Sequence, residues 1–283
     1  MRSFVPDFDL VSATALEHAT DLLSDGWRPI AGGTDLMVLF NAGKLPYRKL
    51  VSLRRIEELL DITVRPDEVS IGAAVTYTRI RQHAVLQREF PALCLAASWT
   101  GSIANQNRGT LAGNIVNASP AADSAPVLLA YDAEVELVSA RAARRIPYRE
   151  FHLGYKEMQL RHDELLHSIH LSRANEKWRH YARKVGTRRA QAISKISFIG
   201  LVQMSGDTID NVRLAAGSVA PVPLRCYRTE ESLRGERISS TVIHRAAATI
   251  SSEVQPITDI RSTIEYRRTV MANLLADFLK SLR

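Results

Sequence analysis

Two glycine-rich segments contain the residue types that could hold a phosphate-bearing ligand. The first, residues 31–35, reads Ala-Gly-Gly-Thr-Asp and places the hydroxyl of Thr34 beside two adjacent glycines. Adjacent glycines let the backbone come close to a ligand and present its N–H groups to phosphate oxygens. The segment is neither a P-loop nor a GxGxxG dinucleotide turn, so by itself it also fits an ordinary turn after a strand.

The second segment, residues 105–123, is a long polar run rich in glycine and alanine between two apolar stretches. A plain connection of this length would be costly in conformational entropy. The run offers backbone N–H donors, the hydroxyls of Thr110 and Ser119, and the carboxylate of Asp123 as an acceptor for ribose or ribityl hydroxyls. These groups suit an extended polyhydroxylated diphosphate, and an ordered loop without a ligand is the alternative.

Other kinds of site have less support in the sequence. Cys94 and Cys226, 226 − 94 = 132 positions apart, cannot form a CxxC pair and are expected to be small buried hydrophobes. Redox chemistry would therefore come from an organic cofactor or a partner chain. No acidic residue completes a metal site with His162, His167 and His170, and strand alternation predicts that the last two imidazoles point to opposite faces. No GxSxG elbow supports Ser-His-Asp catalysis.

The positive charge of the chain is concentrated in one band. The net charge is +7, and residues 141–189 contain 13 Lys and Arg against 5 Asp and Glu, an excess of +8. Such a basic band can bind nucleic acid, an anionic cofactor or an acidic partner surface. Because no zinc-finger or RNP-like string accompanies it, we expect no nucleic acid and interpret the band as a candidate docking surface.

Length and composition set the broad class. The 283 residues are 46% hydrophobic and 24% charged, which is typical of a globular protein of about two domains. No apolar run is long enough for a membrane span. The N-terminal residues lack the pattern of a secretion signal, so we expect a cytoplasmic protein.

The pattern of apolar and polar residues predicts an α+β protein. A capping box from Thr14 to Glu17 is expected to begin a helix that ends at Gly26. Further strands are predicted at residues 49–53, 69–73, 133–138, 197–204 and 212–219, and helices at residues 76–83, 91–98, 241–250 and from about 265 onward. The elements alternate without the regularity of a doubly wound sheet. The polar stretch at residues 172–177 predicts a domain boundary.

Taken together, the two glycine-rich segments strongly resemble the FAD-binding medium subunit of the molybdenum hydroxylases, the family of xanthine dehydrogenase and aerobic carbon monoxide dehydrogenase. The resemblance is carried by residues 31–36 and 109–123, extends from about Phe4 to Leu282, and has further matches at residues 180–189, 217–225 and 265–268. It implies a two-subdomain FAD-binding fold of the PCMH or vanillyl-alcohol-oxidase type, followed by a smaller α+β domain. The implied FAD-binding domain is 1–175, with subdomains of about 1–55 and 56–175, and the C-terminal domain is 176–283.

The resemblance also implies which residues hold FAD. The pyrophosphate would lie against Pro29, Ile30, Ala31, Gly32, Gly33, Thr34, Asp35 and Leu36. A second cradle would be formed by Thr110, Ala112, Gly113 and Asn114. No metal ligand and no catalytic acid or base is implied in this chain.

Four further positions are implied outside these cradles. Thr100 would lie near the flavin, Asp123 would bind a cofactor hydroxyl, and Leu166 would contact the adenine side. Lys184 would lie near the isoalloxazine, where it and Arg188 would favour the anionic reduced flavin.

The sequence departs from the family pattern in three places. Ala112 stands where the family usually has glycine, which puts a methyl group where the backbone would approach the ligand. Residues 102–107 differ from the usual Gln-Ile-Arg-Asn stretch. Gln191 stands where the NAD-using eukaryotic members carry an acid.

The resemblance implies an oxidoreductase subunit that is active only within a complex. Electrons would pass from a large molybdopterin subunit through [2Fe–2S] clusters in a small subunit to FAD in this chain, and then to NAD⁺, oxygen or a quinone. The complex would be a dimer of heterotrimers, with the organic substrate chosen by the large subunit. The alternative is a non-enzymatic basic binding module that has lost FAD, for which Ala112 is the main support.

Overall fold

The computed structural model describes residues 7–175, 178–188 and 190–283. Phe4, where the resemblance begins, and Lys177 and Arg189 of the basic band lie outside these ranges. The chain folds into mixed helices and sheets, which confirms the predicted α+β class. Within the described ranges no helix is long and apolar enough to cross a membrane.

The first unit is a small parallel sheet with two helices. Its elements are β1 (Asp9–Ser12), α1 (Leu16–Ser24), β2 (Arg28–Ile30), α2 (Leu36–Asn41) and β3 (Lys49–Ser52), with the strands in the order β1-β3-β2. Gly26 has a φ of +83°, a conformation that lets the chain leave α1 as predicted. The predicted capping box is wrong, because α1 begins after Ala15 and no side chain caps its first turn.

The second unit combines a five-stranded antiparallel sheet with short helices. It comprises β4 (Ile62–Val64), β5 (Glu68–Gly72), α3 (Tyr77–Gln82), α4 (Ala84–Glu89), α5 (Pro91–Trp99), α6 (Ile103–Gln106), α7 (Leu111–Val116), α8 (Ala125–Ala130), β6 (Glu134–Val138), β7 (Ala143–Pro147), β8 (His152–Gly154), β9 (Glu157–Met158) and β10 (Leu165–Ser172). The sheet order is β4-β5-β10-β6-β7. Its apolar face packs with α5 and α8 in the larger hydrophobic core.

The third unit is a four-stranded antiparallel sheet covered by helices. It comprises β11 (Arg179–Val185), β12 (Ile196–Ser205), β13 (Thr208–Gly217), β14 (Leu224–Arg225), α9 (Tyr227–Leu233), α10 (Ser240–Glu253) and α11 (Ile264–Lys280). The strands and helices predicted in both halves of the chain are confirmed, with their ends shifted by a few residues. The predicted boundary at 172–177 falls between β10 and β11.

Strand β12 is buried on both faces. Phe198 and Val202 point into the core formed with α10 and α11, whereas Ile199 and Leu201 point into the core of the second unit. This alternation follows the period of two that a strand imposes on its side chains. The C-terminal sheet is therefore held between its own helices and the second unit, which brings β11 and β12 against α5 and α8.

Two arginines reinforce this junction at the end of α8. Arg225 donates to the carbonyl of Leu129 at 2.8 Å and Arg213 donates to that of Ala130 at 3.1 Å. Both guanidiniums also pair with Asp132. Because the last carbonyls of a helix lack partners within the helix, cations at this position stabilise its end.

Three cations of the basic band, Arg145, Arg173 and Lys184, pair with carboxylates from elsewhere in the chain. Arg145 pairs with Glu68 at 2.5 Å and also with Glu134, and Lys184 pairs with Asp123 at 2.6 Å. The excess of +8 along the sequence is thus reduced in the folded chain, because these partners lie outside the band. The interpretation of the band as a docking surface stays a prediction.

The expected divergence of two imidazoles on β10 is wrong. A bulge between Leu166 and Ser168 interrupts the pairing of β10 with β6, and a bulge breaks the strict alternation of side chains. As a result, His167 Nδ1 and His170 Nε2 lie 3.2 and 3.5 Å from the same oxygen of Glu136.

The ion pair between Glu89 and Arg173 generates a prediction about acid stability. Hydrogen bonds from Arg173 at 2.8 and 2.9 Å lower the pKa of the buried Glu89 from 4.5 to about 2. Glu89→Gln is therefore expected to reduce the free energy of unfolding at pH 7 by about 3–5 kcal/mol. Because the folded-state pKa is lowered, this difference is present above pH 4.5 and disappears as the pH falls towards 2.

Urea unfolding of both proteins across this pH range measures the effect. Glu231→Gln is the matched control, since Glu231 is 79% exposed and its pair with Arg234 should contribute less than about 1 kcal/mol. Equal losses for the two variants would contradict the prediction.

Candidate functional site

The structure brings the two glycine-rich segments into direct contact. A Cβ on Gly32 would lie 2.0 Å from the carbonyl oxygen of Arg108 and 2.8 Å from the Cα of Gly109. A Cβ on Gly109 would lie 3.3 Å from the hydroxyl oxygen of Thr34. Glycine at position 32 is thus required for this approach, and the two segments form one surface.

The first segment forms the turn from β2 into α2. Pro29 and Ile30 belong to β2 and pair with Val51 and Ser52 of β3. Residues 31–34 are half-buried, and Asp35 is exposed at the start of α2, whose first residue is Leu36. Residues 29–36, which are predicted to bind the pyrophosphate, therefore follow one another from the end of β2 through a half-buried turn to the start of α2.

The second segment is shaped by the cap of α7. The Thr110 hydroxyl accepts a hydrogen bond from the N–H of Gly113 at 3.0 Å, and Ser124 donates to the side-chain oxygen of Asn114 at 2.6 Å. Gly113 is exposed. Ala112 is buried in the core with 3% of its surface exposed, so its methyl does not project from the open side of the segment.

A buried ion pair lies at the end of the second segment. Lys184 Nζ is 2.6 Å from Asp123 Oδ2 and donates to the carbonyl of Trp99 at 3.1 Å. The Ser194 hydroxyl donates to the other oxygen of Asp123. Burial raises the pKa of Asp123, and the ammonium of Lys184 opposes that shift. The predicted residues Asp123 of the second segment and Lys184 of β11 therefore meet here, beside the end of α5.

This pairing changes the expected electrostatics of the site. Lys184 and Asp123 together carry no net charge, so the lysine does not act as an unpaired cation. Arg188 donates to the carbonyls of Ala190 and Gln191 and orders its own loop. The two cations predicted to favour an anionic flavin are thus engaged with the protein itself.

Tyr77 contributes a buried hydroxyl beside the ion pair. Its Oη is inaccessible to solvent and has no hydrogen-bond partner of good geometry among the described residues, although Thr100, Ser124 and Asp123 lie close to it. Burial raises the pKa of this phenol. The backbone N–H of Tyr77 donates to the carbonyl of Gly109 at 3.1 Å, which anchors the second segment from behind.

Two further predicted residues, Thr100 and Leu166, lie outside the two glycine-rich segments. Thr100 ends α5 and donates to the carbonyl of Ala96 at 3.4 Å. Leu166 lies in β10, pairs with Leu137 of β6 and is buried in the core, with 1% of its surface exposed. A bond of 3.4 Å from Arg28 to the carbonyl of His162 links the first unit to the segment before β10.

The sequence analysis missed Ser194 and Tyr77. Ser194 is 71 positions from Asp123, and nothing in its Ile-Ser-Lys context distinguishes it from a serine of an ordinary strand edge. Tyr77 is the second residue of the helix predicted at 76–83. A tyrosine there can be buried for packing alone, so the sequence does not mark it as functional. Only the packing of β12 against the second unit brings Ser194 to the site.

The other clusters of polar residues do not form a reactive centre. Ser168 Oγ lies 2.9 Å from His170 Nε2, and Glu68 lies 3.3 Å from the other ring nitrogen, but Ser168 is only 2% exposed and also donates to Glu136. A nucleophile needs access to its substrate, which this hydroxyl lacks. Among the described residues no group of three or more His, Cys, Asp or Glu is arranged to hold a metal.

Fold and site together define a flavoprotein domain with a separate C-terminal domain. The profile described as "FAD binding domain in molybdopterin dehydrogenase" matches residues 6–173, and that described as "CO dehydrogenase flavoprotein C-terminal domain" matches residues 181–282. The chain belongs to the family of FAD-binding medium subunits of the xanthine and carbon monoxide dehydrogenases, as the resemblance implied.

Individual relatives agree with this assignment over nearly the whole chain. The xanthine dehydrogenase FAD-binding subunit of Escherichia coli O157:H7 is 32% identical over 92% of this chain and 91% of its own length. The glyceraldehyde dehydrogenase medium chain of Sulfolobus acidocaldarius is 28% identical over 99% of each chain. The carbon monoxide dehydrogenase structure from Hydrogenophaga pseudoflava shares the fold, with a TM-score of 0.92 at 23% identity over 97% of this chain and 96% of that one.

The residues present fit FAD. The contact of Gly32 with Arg108 and Gly109 leaves a backbone-lined turn that any larger side chain would fill. Beside it lie the buried carboxylate of Asp123 and the unpartnered hydroxyl of Tyr77. Close backbone approach suits a pyrophosphate, and buried polar groups suit the polar edges of the cofactor.

The contact at Gly32 generates a prediction about FAD affinity. Gly32→Ala would force the two segments apart, so we expect the FAD dissociation constant to rise about tenfold or more, equivalent to about 1.4 kcal/mol. Fluorescence titration of the FAD-free chain measures it. Gly43→Ala is the control, because no described atom lies within 4 Å of the added Cβ and the strain of alanine at its φ of +65° would lower stability without touching the contact between the segments. Similar affinities for the two variants would contradict the prediction.

Proposed function

We propose that this chain is the electron-transfer flavoprotein subunit of a molybdenum hydroxylase complex. Electrons would reach its FAD from [2Fe–2S] clusters in a small subunit, which are reduced by a large molybdopterin subunit, and leave to NAD⁺, oxygen or a quinone. FAD supplies redox chemistry that amino-acid side chains cannot. The observation that carries the proposal is the single surface formed by the two glycine-rich segments beside the Asp123–Lys184 pair.

The chain's own residues would hold and shield the cofactor. Residues 29–36 would bind the pyrophosphate from one side, and Thr110, Ala112, Gly113 and Asn114 from the other. Each oxygen of Asp123 already accepts one hydrogen bond and retains a lone pair that a cofactor hydroxyl could use. Thr100, Leu166 and Lys184 would complete the site as the resemblance implies.

The alternative of a binding module without FAD has lost its main support. That interpretation depended on the methyl of Ala112 blocking the cradle, but this methyl is buried in the core. The glycine contact at Gly32, where a side chain cannot be accommodated, also favours a retained cofactor site.

The cysteines support a separate source of electrons. Cys226 is fully buried, and burial raises the pKa of Cys94 to about 11, so neither thiol is suited to ligating iron as a thiolate. With only these two cysteines in the sequence, a [2Fe–2S] cluster must be held by another chain.

The names of the relatives support a multi-subunit assembly. Those relatives include a carbon monoxide dehydrogenase medium chain and a nicotine 6-hydroxylase medium subunit, and a medium chain implies smaller and larger partners. We propose a dimer of heterotrimers that contains this chain and works in the cytoplasm.

The role of Asp123 is tested by substitution. Asp123→Asn is expected to raise the FAD dissociation constant about tenfold or more, because a charged acceptor contributes about 1.5–3 kcal/mol. The same change leaves Lys184 buried without its partner, at a cost in stability of about 3–5 kcal/mol. Adding Lys184→Met should recover much of the stability without restoring FAD affinity. Wild-type FAD affinity in Asp123→Asn would reject this assignment.

The electron path is tested by following the flavin absorbance. The isolated chain, loaded with FAD, should not be bleached by any organic hydroxylase substrate, because it holds no centre that could oxidise one. In the purified three-chain complex, the organic substrate should bleach the flavin, and NAD⁺, oxygen or a quinone should restore it. Bleaching of the isolated chain by an organic substrate would overturn the subunit assignment.

A further inference from the structure

Arg267 of α11 is a buried cation held at both ends. It is 4% exposed, its Nη1 donates to the carbonyl of Ser218 at 2.7 Å, and its Nη2 donates to Asp259 at 2.8 Å. Asp259 in turn accepts hydrogen bonds from the N–H groups of Arg261 and Ser262. The guanidinium therefore has a fixed position, although it lies in the last helix and is far in sequence from both glycine-rich segments.

Ser218 is the residue that this guanidinium holds. Its φ is +64°, a left-handed conformation that is unfavourable for a serine and persists only when its surroundings enforce it. In this conformation its N–H donates to the carbonyl of Pro120 at 2.7 Å and its hydroxyl donates to the carbonyl of Ser194 at 3.0 Å.

Both contacts of Ser218 lead to the same carboxylate. Pro120 lies three residues before Asp123 in the second glycine-rich segment. The hydroxyl of Ser194 donates directly to Asp123, which pairs with Lys184. Ser218 thus fixes Asp123 by a backbone route and by a side-chain route.

We propose that Arg267, oriented by Asp259, is a positioning residue for the FAD site, because it holds Ser218 in the conformation that places Asp123 and Lys184. The proposal rests on the proposed role of Asp123 in FAD binding. Binding constellations need support of this kind, since a small displacement of a polar group weakens a directional hydrogen bond.

The chemistry of the side chain explains why arginine is suited to this position. Its planar fork presents two nitrogens in fixed directions, one to the carbonyl of Ser218 and one to the carboxylate of Asp259. Within the part of the chain that the structure describes, the Nε is buried without a hydrogen-bond partner, so Nη1 and Nη2 provide the directional contacts. A lysine could maintain one of these contacts but not the geometry of both.

FAD titration of the full chain tests the proposal. Arg267→Gln is expected to raise the FAD dissociation constant about tenfold and to change the shape of the visible spectrum of bound flavin, with Arg267→Lys intermediate. Arg268→Gln is the matched control, because Arg268 is exposed on the same helix, and it should remain within twofold of wild type. A folded Arg267→Gln protein with wild-type affinity and spectrum would overturn the proposal.

A second measurement separates positioning from a general loss of stability. If Arg267 acts through Asp123, Arg267→Gln should weaken FAD binding much less in an Asp123→Asn background than in wild type. The same fold-loss in both backgrounds would overturn the positioning role. Loss of affinity in Arg267→Gln but not in Asp123→Asn would instead reject the role of Asp123 in the proposed function, and this route with it.

A milder variant covers the case in which Arg267→Gln fails to fold. Ser218→Ala removes only the hydroxyl that reaches Ser194, and it should raise the FAD dissociation constant about threefold or more. Ser232→Ala is its control, because Ser232 also donates to a carbonyl, that of Thr229 at 2.8 Å, but belongs to α9. Equal affinities for these two variants would overturn the proposal.

Discussion

The buried pair of Asp123 and Lys184 is the interaction on which the arrangement of the site depends. A carboxylate and an ammonium removed from water need each other, and the cost of separating them is several kcal/mol. Asp123 comes from the second unit and Lys184 from the C-terminal sheet, so the pair forms only when that sheet docks against α5 and α8. The burial of Ile199 and Leu201 of β12 in the core of the second unit supplies the apolar contact that holds the docking in place.

A second constraint joins the first unit to the second. The turn after β2 reaches the backbone of Arg108 and Gly109 only because Gly32 has no side chain. Their contact, from Gly32 to Arg108 and from Thr34 to Gly109, joins the two segments into one surface. The family assignment and this geometry agree, since the matched FAD-binding region contains both segments.

Folding places basic residues beside acidic residues that are distant from them in the sequence. Residues 141–189 look strongly basic, yet Arg145 and Lys184 meet carboxylates contributed by positions 68, 134 and 123. Arg145 meets Glu68 and Glu134 because β5, β6 and β7 belong to one sheet, whereas Lys184 meets Asp123 because the C-terminal sheet docks against the second unit. Because Lys184 is paired with Asp123, the two side chains together carry no net charge. They would act on a cofactor through hydrogen bonds and shape.

The sequence by itself determined the α+β class, most strands and helices, and the two glycine-rich segments, because periodicity and glycine-rich turns are local properties. It also determined the family, since the motifs occur in order along the chain. Tertiary structure decided the rest. The bulge at Leu166 turned His167 and His170 towards Glu136, and the core buried the methyl of Ala112. Ser194, Ser218 and Arg267 came to the site through contacts between distant positions, which depend on how sheets pack and leave no local signal in the sequence.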